Sequence, residues 1–398
     1  MDYKLHHSVK KYLAKVESHT QPYTTKVLGK EILVYPRVMS PKYDYSSTFH
    51  IKNMPNQKDK IFLEIGSGCG IISLFTALQG AKVTAVDINP DAVNNTQTNF
   101  QKYGLKARIE CSDVFEKIKE DSLFDTIAFA APYHNVKPTS FLEMGVTDYN
   151  YDTLKRFLRD AKKHLYRGGE IHLGFSNTGD LETLNTEIIK NMYKVVDIKK
   201  EAIEDWEARL YILKPRILTG SEKYFYKDDE RWFQEYKEFI DTGSILKIGN
   251  GKGYATDFIK LNNQKTTSID VIANGADIIY DGKKIPYKND KFDTTICCYT
   301  LHHAENPESL FDEIVRTSKK RIIILEETYN NTFQKINLVA NCVLKNFSAG
   351  QKIDFHWNSY MSRATLKDLI KKHDLKIIKQ HTERKESYYK ELFILEKK

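Results

Sequence analysis

The sequence is poor in cysteine, and the cysteines it has exclude two kinds of site. Five cysteines occur in 398 residues, at positions 69, 111, 297, 298 and 342. Their number is odd and no Cys-x-x-Cys pair occurs, so we expect neither a disulfide framework nor a zinc site, and no metal ligands are assigned. Because disulfides are rare in reducing compartments, this pattern favours a cytoplasmic protein.

Long apolar runs are also missing. The first twenty residues, MDYKLHHSVKKYLAKVESHT, contain no apolar core of the kind that secretory signal peptides carry. No stretch approaches the roughly 18 consecutive apolar residues of a membrane-spanning helix. We therefore expect neither a signal peptide nor a membrane partner.

Charge of one sign is not concentrated anywhere in the sequence. The net charge is +8, from 61 basic and 53 acidic residues, and the excess is shared equally between the two parts of the chain on either side of residue 216. Surfaces that bind nucleic acids usually show a dense basic patch or stripe. A nucleic acid is therefore an open but unfavoured partner, because a lysine-rich surface explains the charge as well.

Strand and helix patterns alternate twice along the chain. The N-terminal helical segment, residues 1–30, is predicted to be an amphipathic helix followed by a polar turn. The first series then occupies residues 31–216, and a second series occupies residues 217–398. Repeated strand–helix units are typical of parallel sheets with helices on both faces. The sequence therefore predicts an α/β protein with two domains of the same type.

Each domain contains the same glycine-rich phrase. IFLEIGSGCG spans residues 61–70 and ILKIGNGKG spans residues 245–253, and in each an apolar strand pattern ends in three alternate glycines. Glycine, which has no Cβ, lets a ligand approach the backbone closely. The phrases differ in one charge, because Glu64 in the first corresponds to Lys247 in the second.

An acidic residue ends the next strand pattern in both domains. Asp87 lies 23 residues after Glu64, and Asp270 lies 23 residues after Lys247. A carboxylate at this point can accept hydrogen bonds from both ribose hydroxyls of an adenosine.

The third strand pattern of each domain also ends in an acid. These acids are Asp113, in ECSDVF, and Asp281, in IIYDGKKIPY, and we expect them to bind an adenine amino group. NAD is the rival ligand, but its fingerprint is GxGxxG and needs a second nucleotide-binding half. The GxGxG spacing found here disfavours NAD.

In this order and spacing, the motifs resemble those of class I S-adenosylmethionine-dependent methyltransferases. The phrases that carry the resemblance are FLEIGSGCG, VTAVDINPDAV and CSDVF, then ILKIGNGKGYATDFI, TSIDVI and CCYTLHHAENPESL. The resemblance covers roughly residues 30–215 and 225–398. It implies two Rossmann-like domains, each with a mostly parallel seven-stranded sheet, and S-adenosyl-L-methionine as cofactor. The cofactor-binding residues it implies are Glu64, Gly66, Gly68, Gly70, Asp87 and Asp113 in the first domain and Gly249, Gly251, Asp270 and Asp281 in the second.

The phrase FAAPYHNV, residues 129–136, resembles the Asn-Pro-Pro-Tyr loop of release-factor glutamine and ribosomal guanine-N2 methyltransferases. In those families the Asn side chain accepts a hydrogen bond from the target amino group. Here Ala130 replaces that Asn, while Pro132, Tyr133 and His134 match. We therefore expect an oxygen, carbon or ring-nitrogen acceptor, with Tyr133 or His134 as base or orienting group.

The second domain resembles the methyltransferases of ubiquinone and menaquinone biosynthesis. Lys247 stands where the family has an acid beside the cofactor's ammonium, so this domain is predicted to bind the cofactor weakly, to bind another ligand, or to serve recognition or dimerisation. His303 is its candidate base, with His302 beside it. Further candidates for its acceptor site are Glu326, Glu327, Phe355, Trp357 and Tyr360.

These motifs predict a tandem methyltransferase in which the first domain catalyses. The favoured acceptor is a small biosynthetic molecule. The alternatives are an RNA or protein methyltransferase with one catalytic and one recognition domain, and a non-catalytic scaffold that binds S-adenosylmethionine. The oligomeric state is open, with a homodimer as one option.

Overall fold

A computed structural model of the chain describes residues 5, 7–263, 265–348 and 356–398. The chain forms two compact units, unit 1 (Met1–Arg216) and unit 2 (Ile217–Lys398). Among the described residues, each unit builds a seven-stranded sheet with helices against it, which confirms the predicted α/β class.

The sheet of unit 1 has the strand order β5-β4-β3-β6-β7-β9-β8. Its first five strands are parallel, and β9 runs antiparallel to both neighbours. A separate hairpin, β1–β2, lies outside this sheet. The strands and helices of unit 1 are α1 (His7–Glu17), β1 (Tyr23–Val27), β2 (Lys30–Val34), α2 (Ser46–Asn53), β3 (Ile61–Ile65), α3 (Ile71–Leu78), β4 (Lys82–Asp87), α4 (Pro90–Lys102), β5 (Arg108–Cys111), β6 (Phe124–Ala130), α5 (Phe141–Met144), α6 (Asp152–Asp160), β7 (Leu165–Ser176), α7 (Leu181–Lys190), β8 (Tyr193–Ile203) and β9 (Trp206–Pro215).

Unit 2 repeats this order as β12-β11-β10-β13-β14-β16-β15, again with one strand, β16, antiparallel to both of its neighbours. Its elements are α8 (Gly220–Tyr236), β10 (Ile245–Ile248), α9 (Tyr254–Asn262), β11 (Thr266–Asp270), β12 (Ile278–Ile279), β13 (Phe292–Cys298), α10 (Pro307–Thr317), β14 (Ser318–Thr328), α11 (Thr332–Ser348), α12 (Arg363–Lys372), β15 (Lys376–Arg384) and β16 (Tyr389–Glu396).

The strand order places both glycine loops at equivalent points. In each sheet the strand before the loop, β3 or β10, has the next strand on one side and a later strand on the other. This is a topological switch point, and the carboxyl ends of the strands form a crevice there. The fold therefore presents one crevice in each unit beside its glycine loop.

Local sequence explains where several helices begin. Asn89 caps α4 by accepting from the backbone N–H of Asp91, and Pro90 follows at the first helical position. Thr219 and Glu222 form a reciprocal capping box at the start of α8. The cap at Asn89 thereby fixes the turn from β4 into α4, which borders the crevice of unit 1.

The hairpin β1–β2 differs from the polar turn that the sequence predicted for this region. Leu28 and Gly29 connect the strands with φ values of 45° and 80°, the left-handed pair that tight hairpins prefer. Helix α4 holds the hairpin, because the Asn99 side chain accepts from Leu33 N–H at 2.9 Å and donates to Leu33 O at 2.8 Å. This contact fixes the segment that follows β2 close to the glycine loop.

Helix α1 packs its apolar side on α5, with Val9, Leu13 and Val16 against Leu142 and Val146. Among the described residues, no helix combines the length and the apolar character needed to cross a bilayer.

Candidate functional site

Unit 1 contains a cavity of about 560 Å³ at the carboxyl ends of its central strands. One wall consists of the glycine loop and the residues that end β4 and β5. The opposite wall consists of the loop after β6, the end of β7 and the turn between β8 and β9. The predicted cofactor residues and the predicted acceptor loop therefore border one continuous space.

Two of the three predicted glycines face this cavity. Gly66 and Gly68 line it, with φ values of 70° and 57°, and a Cβ on either would make only ordinary contacts with the protein. Gly70 does not line the cavity. It caps α3 with a φ of 81°, and a Cβ there would lie 2.7 Å from the Thr96 side chain. Gly70 is thus required by packing, whereas Gly66 and Gly68 leave backbone accessible to a ligand.

Asp87 lies at the end of β4 with its carboxylate bound to the glycine loop. Its Oδ2 accepts from Gly68 N–H at 2.8 Å, and its Oδ1 accepts from Asn89 N–H at 2.8 Å. Burial raises the pKa of this carboxyl, against the lowering effect of those N–H groups. A carboxylate offers about four lone pairs, so acceptor capacity remains for ribose hydroxyls.

Glu64 is buried beneath the same loop. Its Oε2 accepts from Ser73 N–H at 2.9 Å, and only 2% of its surface is exposed. Burial raises the pKa of Glu64 to about 8, with a smaller contribution from the charge of Asp87. A cation placed in the cavity would offset this desolvation and favour the carboxylate.

Asp113 lines the cavity just after β5, where an adenine is expected. Arg156 of α6 donates to both of its carboxylate oxygens, at 3.0 and 3.1 Å. Each side chain of this pair is about 30% exposed. An adenine bound here would contact the carboxylate of Asp113, whose orientation Arg156 already fixes. These residues and the glycine loop fit the adenosine and methionine ends of S-adenosylmethionine.

The predicted acceptor loop divides into residues that line the cavity and one that does not. Ala130, Ala131, Pro132 and Tyr133 line it, and burial raises the pKa of the Tyr133 phenol. The phenol is therefore a hydrogen-bond donor rather than a base. His134 is 6% exposed and does not line the cavity, so the geometry does not support the prediction that it contacts an acceptor.

Sequence reasoning missed His50, which lies on α2 and lines the cavity. Burial, with the nearby His172, lowers the pKa of His50 to about 3, so its imidazole is neutral. Neither ring nitrogen has a hydrogen-bond partner among the described residues. A Cβ on Gly174, the ladder partner of Ala130, would lie 3.4 Å from His50 Nδ1 and 3.3 Å from Ala130 Cα.

This places the imidazole of His50 beside the position where related loops carry Asn. The segment that follows β2 also lines the cavity, and Asp44 belongs to it. The sequence assigned this segment a covering role but no individual residue. His50 gave no local signal, because it belongs to no motif and its proximity to the loop after β6 arises only in the fold.

In unit 2, Lys247 occupies the position that Glu64 has in unit 1. Glu64 pairs with Ala128 of β6, and Lys247 pairs with Ile296 of the equivalent strand β13. Lys247 is 2% exposed, and its Nζ donates to the carbonyls of Ile248 at 2.9 Å and Gly249 at 2.6 Å. An ammonium of the protein therefore lies beside the loop where the cofactor's ammonium would lie.

The predicted cofactor residues of unit 2 are also bound within the protein. The Oδ2 atom of Asp270 accepts from the N–H groups of Asn250 and Gly251 and from Asn274 Nδ2, the last at 2.7 Å. The Oδ1 atom accepts from two further backbone N–H groups. Asp281 accepts from the N–H groups of residues 283 and 284 in its own turn.

In unit 2 a side chain of the protein fills the space beside the first glycine of the loop, Gly249. A Cβ on Gly249 would lie 2.1 Å from the Thr300 hydroxyl, so this glycine admits Thr300 rather than a ligand. Gly251 has a φ of 52° and its N–H is directed to Asp270, at 3.3 Å. Unit 2 therefore retains the backbone of the loop while its own side chains contact it.

The two histidines that the sequence singled out in unit 2, His302 and His303, have different environments. His302 Nδ1 is hydrogen-bonded to Glu326; burial would lower the pKa of His302, but this carboxylate outweighs it and holds the pKa well above its usual value. Burial and His302 lower the pKa of His303 to about 2, which makes His303 a weak base. The Tyr360 ring lies 5.0 Å from that of His302, Trp357 is 42% exposed, and Phe355 falls outside the described residues.

Comparisons with known proteins agree with this geometry. The family model "Methyltransferase small domain" matches residues 32–203, and the family model "Methyltransferase domain" matches residues 224–380. A putative protein N5-glutamine methyltransferase of Methanocaldococcus jannaschii is 34% identical over 171 residues, which are 40% of this chain and 83% of that protein.

Other relatives are matched over less of their length. The ribosomal RNA small subunit methyltransferase C of Vibrio parahaemolyticus is 28% identical over 37% of this chain and 41% of its own. A bifunctional methyltransferase of Rickettsia prowazekii is 31% identical over 55% of this chain and 46% of its own. The chain thus spans less than half the length of these two relatives. A crystal structure of a methyltransferase from Pyrococcus furiosus matches 52% of this chain and 97% of its own at 20% identity, with a TM-score of 0.36.

These findings correct the predicted partner. The relatives whose names state an acceptor are named for glutamine in a protein or for ribosomal RNA, so the prediction of a small-molecule acceptor is wrong. They confirm the predicted enzyme class and the predicted cofactor. The chain belongs to the S-adenosylmethionine-dependent methyltransferases and carries two of their domains in tandem.

Proposed function

We propose that the chain methylates a side chain of a protein, with unit 1 as the catalyst and unit 2 as the part that recognises the substrate. The observation that carries this proposal is the single cavity of unit 1, which joins Gly66, Gly68 and Asp87 to the loop from Ala130 to Tyr133. A planar side chain resting on Tyr133 would lie between that loop and the cofactor.

The charges of the cavity favour a protein over RNA. Its lining includes eight carboxylates (Asp44, Glu64, Asp87, Asp113, Asp148, Asp152, Glu204 and Asp205) and five cationic side chains (Lys11, Lys15, Arg37, Arg156 and Arg209). The three arginines are already paired with carboxylates, at 2.6 to 3.0 Å. RNA needs several cations that are available to its phosphates.

His50 supplies the polar contact that Ala130 cannot make. Its neutral imidazole offers one lone pair and one N–H next to Ala130, inside the cavity. An amide NH₂ of the acceptor would donate to that lone pair, which turns the nitrogen's own electrons toward the cofactor. His50 thereby restores amide nitrogen as a suitable target, as in the protein glutamine relative.

Each part of unit 1 has one task in the reaction. S-adenosylmethionine, when bound, would supply an electrophilic methyl group, which the acceptor nitrogen would take in line while S-adenosylhomocysteine leaves with the electron pair of the broken carbon–sulfur bond. Glu64 would hold the cofactor's ammonium, Asp87 its ribose and Asp113 its base. His50 and Tyr133 orient the acceptor, and the walls around them exclude water. Positioning of this kind accounts for most of what a methyl transfer requires.

Unit 2 does not repeat this chemistry, because Lys247, Thr300 and Asn274 contact the groups that a cofactor would need. A cationic Nζ at about 4 Å from the cofactor's ammonium would cost on the order of 4 kcal/mol at an effective dielectric constant of 20. Unit 2 thus keeps the methyltransferase fold without its cofactor contacts.

The proposal is tested by following the label from methyl-labelled S-adenosylmethionine into extracts of the source cells. We expect label in material that protease removes and ribonuclease leaves intact, and no label with the Asp87→Ala variant. Label that ribonuclease removes would assign an RNA acceptor instead and overturn the proposal.

A further inference from the structure

A cluster of nitrogen and sulfur donors lies in unit 2, apart from the cavity of unit 1. His302 and His303 form a single helical turn just after β13, and Cys342 lies on α11. The distances from Cys342 Sγ are 3.6 Å to His302 Nε2 and 4.0 Å to His303 Nε2. One donor atom of each residue lies within 4.8 Å of the other two.

The two sulfur–nitrogen separations are close to those of ligands around one tetrahedral zinc ion. Zinc binds thiolate sulfur at about 2.3 Å and imidazole nitrogen at about 2.0–2.1 Å, and a tetrahedral angle then places sulfur and nitrogen about 3.6 Å apart. The two sulfur–nitrogen distances lie at this value or slightly above it. Small movements of these side chains would therefore bring all three donors to bonding distance of an ion.

A second contact orients the His302 ring so that Nε2 faces the sulfur of Cys342. Glu326, at the end of β14, is hydrogen-bonded to His302 Nδ1, and both residues are at most 2% exposed. Metal-bound histidines almost always donate their other ring N–H to a carboxylate, a carbonyl or water, which fixes ring orientation. The Glu326–His302 pair has this arrangement.

A neighbouring side chain also contacts the sulfur of Cys342. Asn346, one turn further along α11, directs Nδ2 to Cys342 Sγ at 3.4 Å and to the Cys342 carbonyl at 2.8 Å. An N–H donor at this distance stabilises a thiolate, the form in which cysteine binds metals. Cys342 is 4% exposed and His302 2%, so the donors lie in a shielded site.

We propose that His302, His303 and Cys342 bind one zinc ion, with Glu326 and Asn346 as the residues that position His302 and Cys342. Three protein ligands leave a fourth position for water or a substrate group. The ion would join the turn after β13 to α11. This inference goes beyond the proposed function and does not depend on it, and it revises the expectation that the chain has no metal ligands.

The test uses the full-length chain without an affinity tag, stripped of metal by chelation and then titrated with Zn²⁺ and with Co²⁺. We expect one ion per chain, and for cobalt a thiolate charge-transfer band together with the intense visible bands of tetrahedral coordination. Cys342→Ser and His303→Gln should weaken binding by at least about 100-fold, and Glu326→Gln by about 10- to 100-fold.

Cys111→Ser is the matched control, because Cys111 is an exposed cysteine of unit 1. It should bind one ion with unchanged affinity. Circular dichroism of each variant shows whether the fold survives, and the wild-type titration decides the question even if a variant unfolds. Failure of the wild type to bind Zn²⁺ or Co²⁺ would overturn the proposal, as would unchanged binding by a folded Cys342→Ser variant. Rapid alkylation of Cys342 without metal binding would overturn it too, and would indicate a thiol activated by His302.

Discussion

Lys247 and Glu64 occupy the same strand position in two units of the same fold, with opposite charge. Each is followed by an isoleucine and then by the first glycine of its loop, and each pairs with the equivalent neighbouring strand. In unit 1 the position holds a buried carboxyl that faces the cavity. In unit 2 an ammonium bonds to the loop's own carbonyls. The same strand position thus carries a buried carboxyl that lines the cavity in unit 1 and a lysine bonded to its own loop in unit 2.

Glu64 makes cofactor binding dependent on pH. Because burial raises its pKa to about 8, the free protein at pH 7 holds this carboxyl mostly protonated. The ammonium of a bound cofactor favours the ionised form, so binding releases a proton. Affinity should rise by roughly tenfold per pH unit between about pH 6 and pH 7.5. Calorimetry in two buffers of different ionisation enthalpy measures both the affinity and the proton released.

Glu64→Gln is the control for this dependence, since it keeps the shape of the side chain and cannot ionise. It should bind the cofactor more weakly and with nearly constant affinity over the same pH range. Wild-type affinity that does not change with pH would show that Glu64 is ionised before the ligand arrives.

His50 should affect catalysis without affecting the cofactor. His50→Ala removes the acceptor of the hydrogen bond beside Ala130, and we expect kcat to fall by about 10²–10⁴-fold, the usual range for such groups. The affinity for S-adenosylmethionine should change by less than about threefold, because His50 lies on the acceptor side of the cavity. Binding is measured by calorimetry and kcat by transfer of labelled methyl groups.

The double variant His50→Ala/Ala130→Asn sharpens that test. If His50 stands in for the Asn of related loops, the amide introduced by Ala130→Asn should restore part of the lost activity. Because its pKa is lowered to about 3, His50 should also leave no titration near the usual histidine pKa in the wild-type rate. A His50→Ala enzyme with full activity would remove His50 from the account.

Of the three glycines in the loop of unit 1, Gly70 should cost the most stability when it is replaced by alanine. A Cβ there meets Thr96 at 2.7 Å and the residue has a φ of 81°, so Gly70→Ala should lower the free energy of unfolding by about 2–4 kcal/mol. Gly104→Ala is the matched control: Gly104 has a φ of 64° and open space around it. Its expected cost, from backbone strain alone, is about 1 kcal/mol. Urea denaturation compares the two, and equal costs would contradict the packing role of Gly70.

The sequence was sufficient to predict the parts of the structure that depend on local pattern. Alternating strands and helices, the two glycine loops and the acids at the ends of the next strands all follow from short-range spacing. The two seven-stranded, mostly parallel sheets agree with that prediction. The position of Asp87 could be predicted because an acid at the end of the second strand is recognisable from local sequence. The structure places Asp87 at the end of β4.

The sequence was insufficient where a role depends on contacts between distant segments. His50 and Ala130 are 80 residues apart in the sequence and become neighbours only through the pairing of β6 with β7. His134 matched a motif, yet it is buried and does not line the cavity. The cysteine count predicted no metal site, because Cys342 joins His302 and His303 through the fold rather than through spacing.

The hairpin β1–β2 was missed for a different reason. Its strand Tyr23–Val27 contains two threonines and a lysine, and only Val27 is buried. A strand that buries so little shows no apolar alternation, and its polar residues indicated a turn. The stabilising contacts come from Asn95 and Asn99 on α4, far along the chain.

The number of cofactor molecules bound per chain tests the central claim most directly. The full-length chain and its Asp87→Ala and Asp270→Ala variants are titrated with S-adenosylmethionine by calorimetry. The account predicts one molecule per chain, lost in Asp87→Ala and unchanged in Asp270→Ala, because Asp270 and Lys247 are already bound within unit 2. Two molecules per chain, with one lost in each variant, would show that unit 2 accommodates the cofactor and would contradict the account.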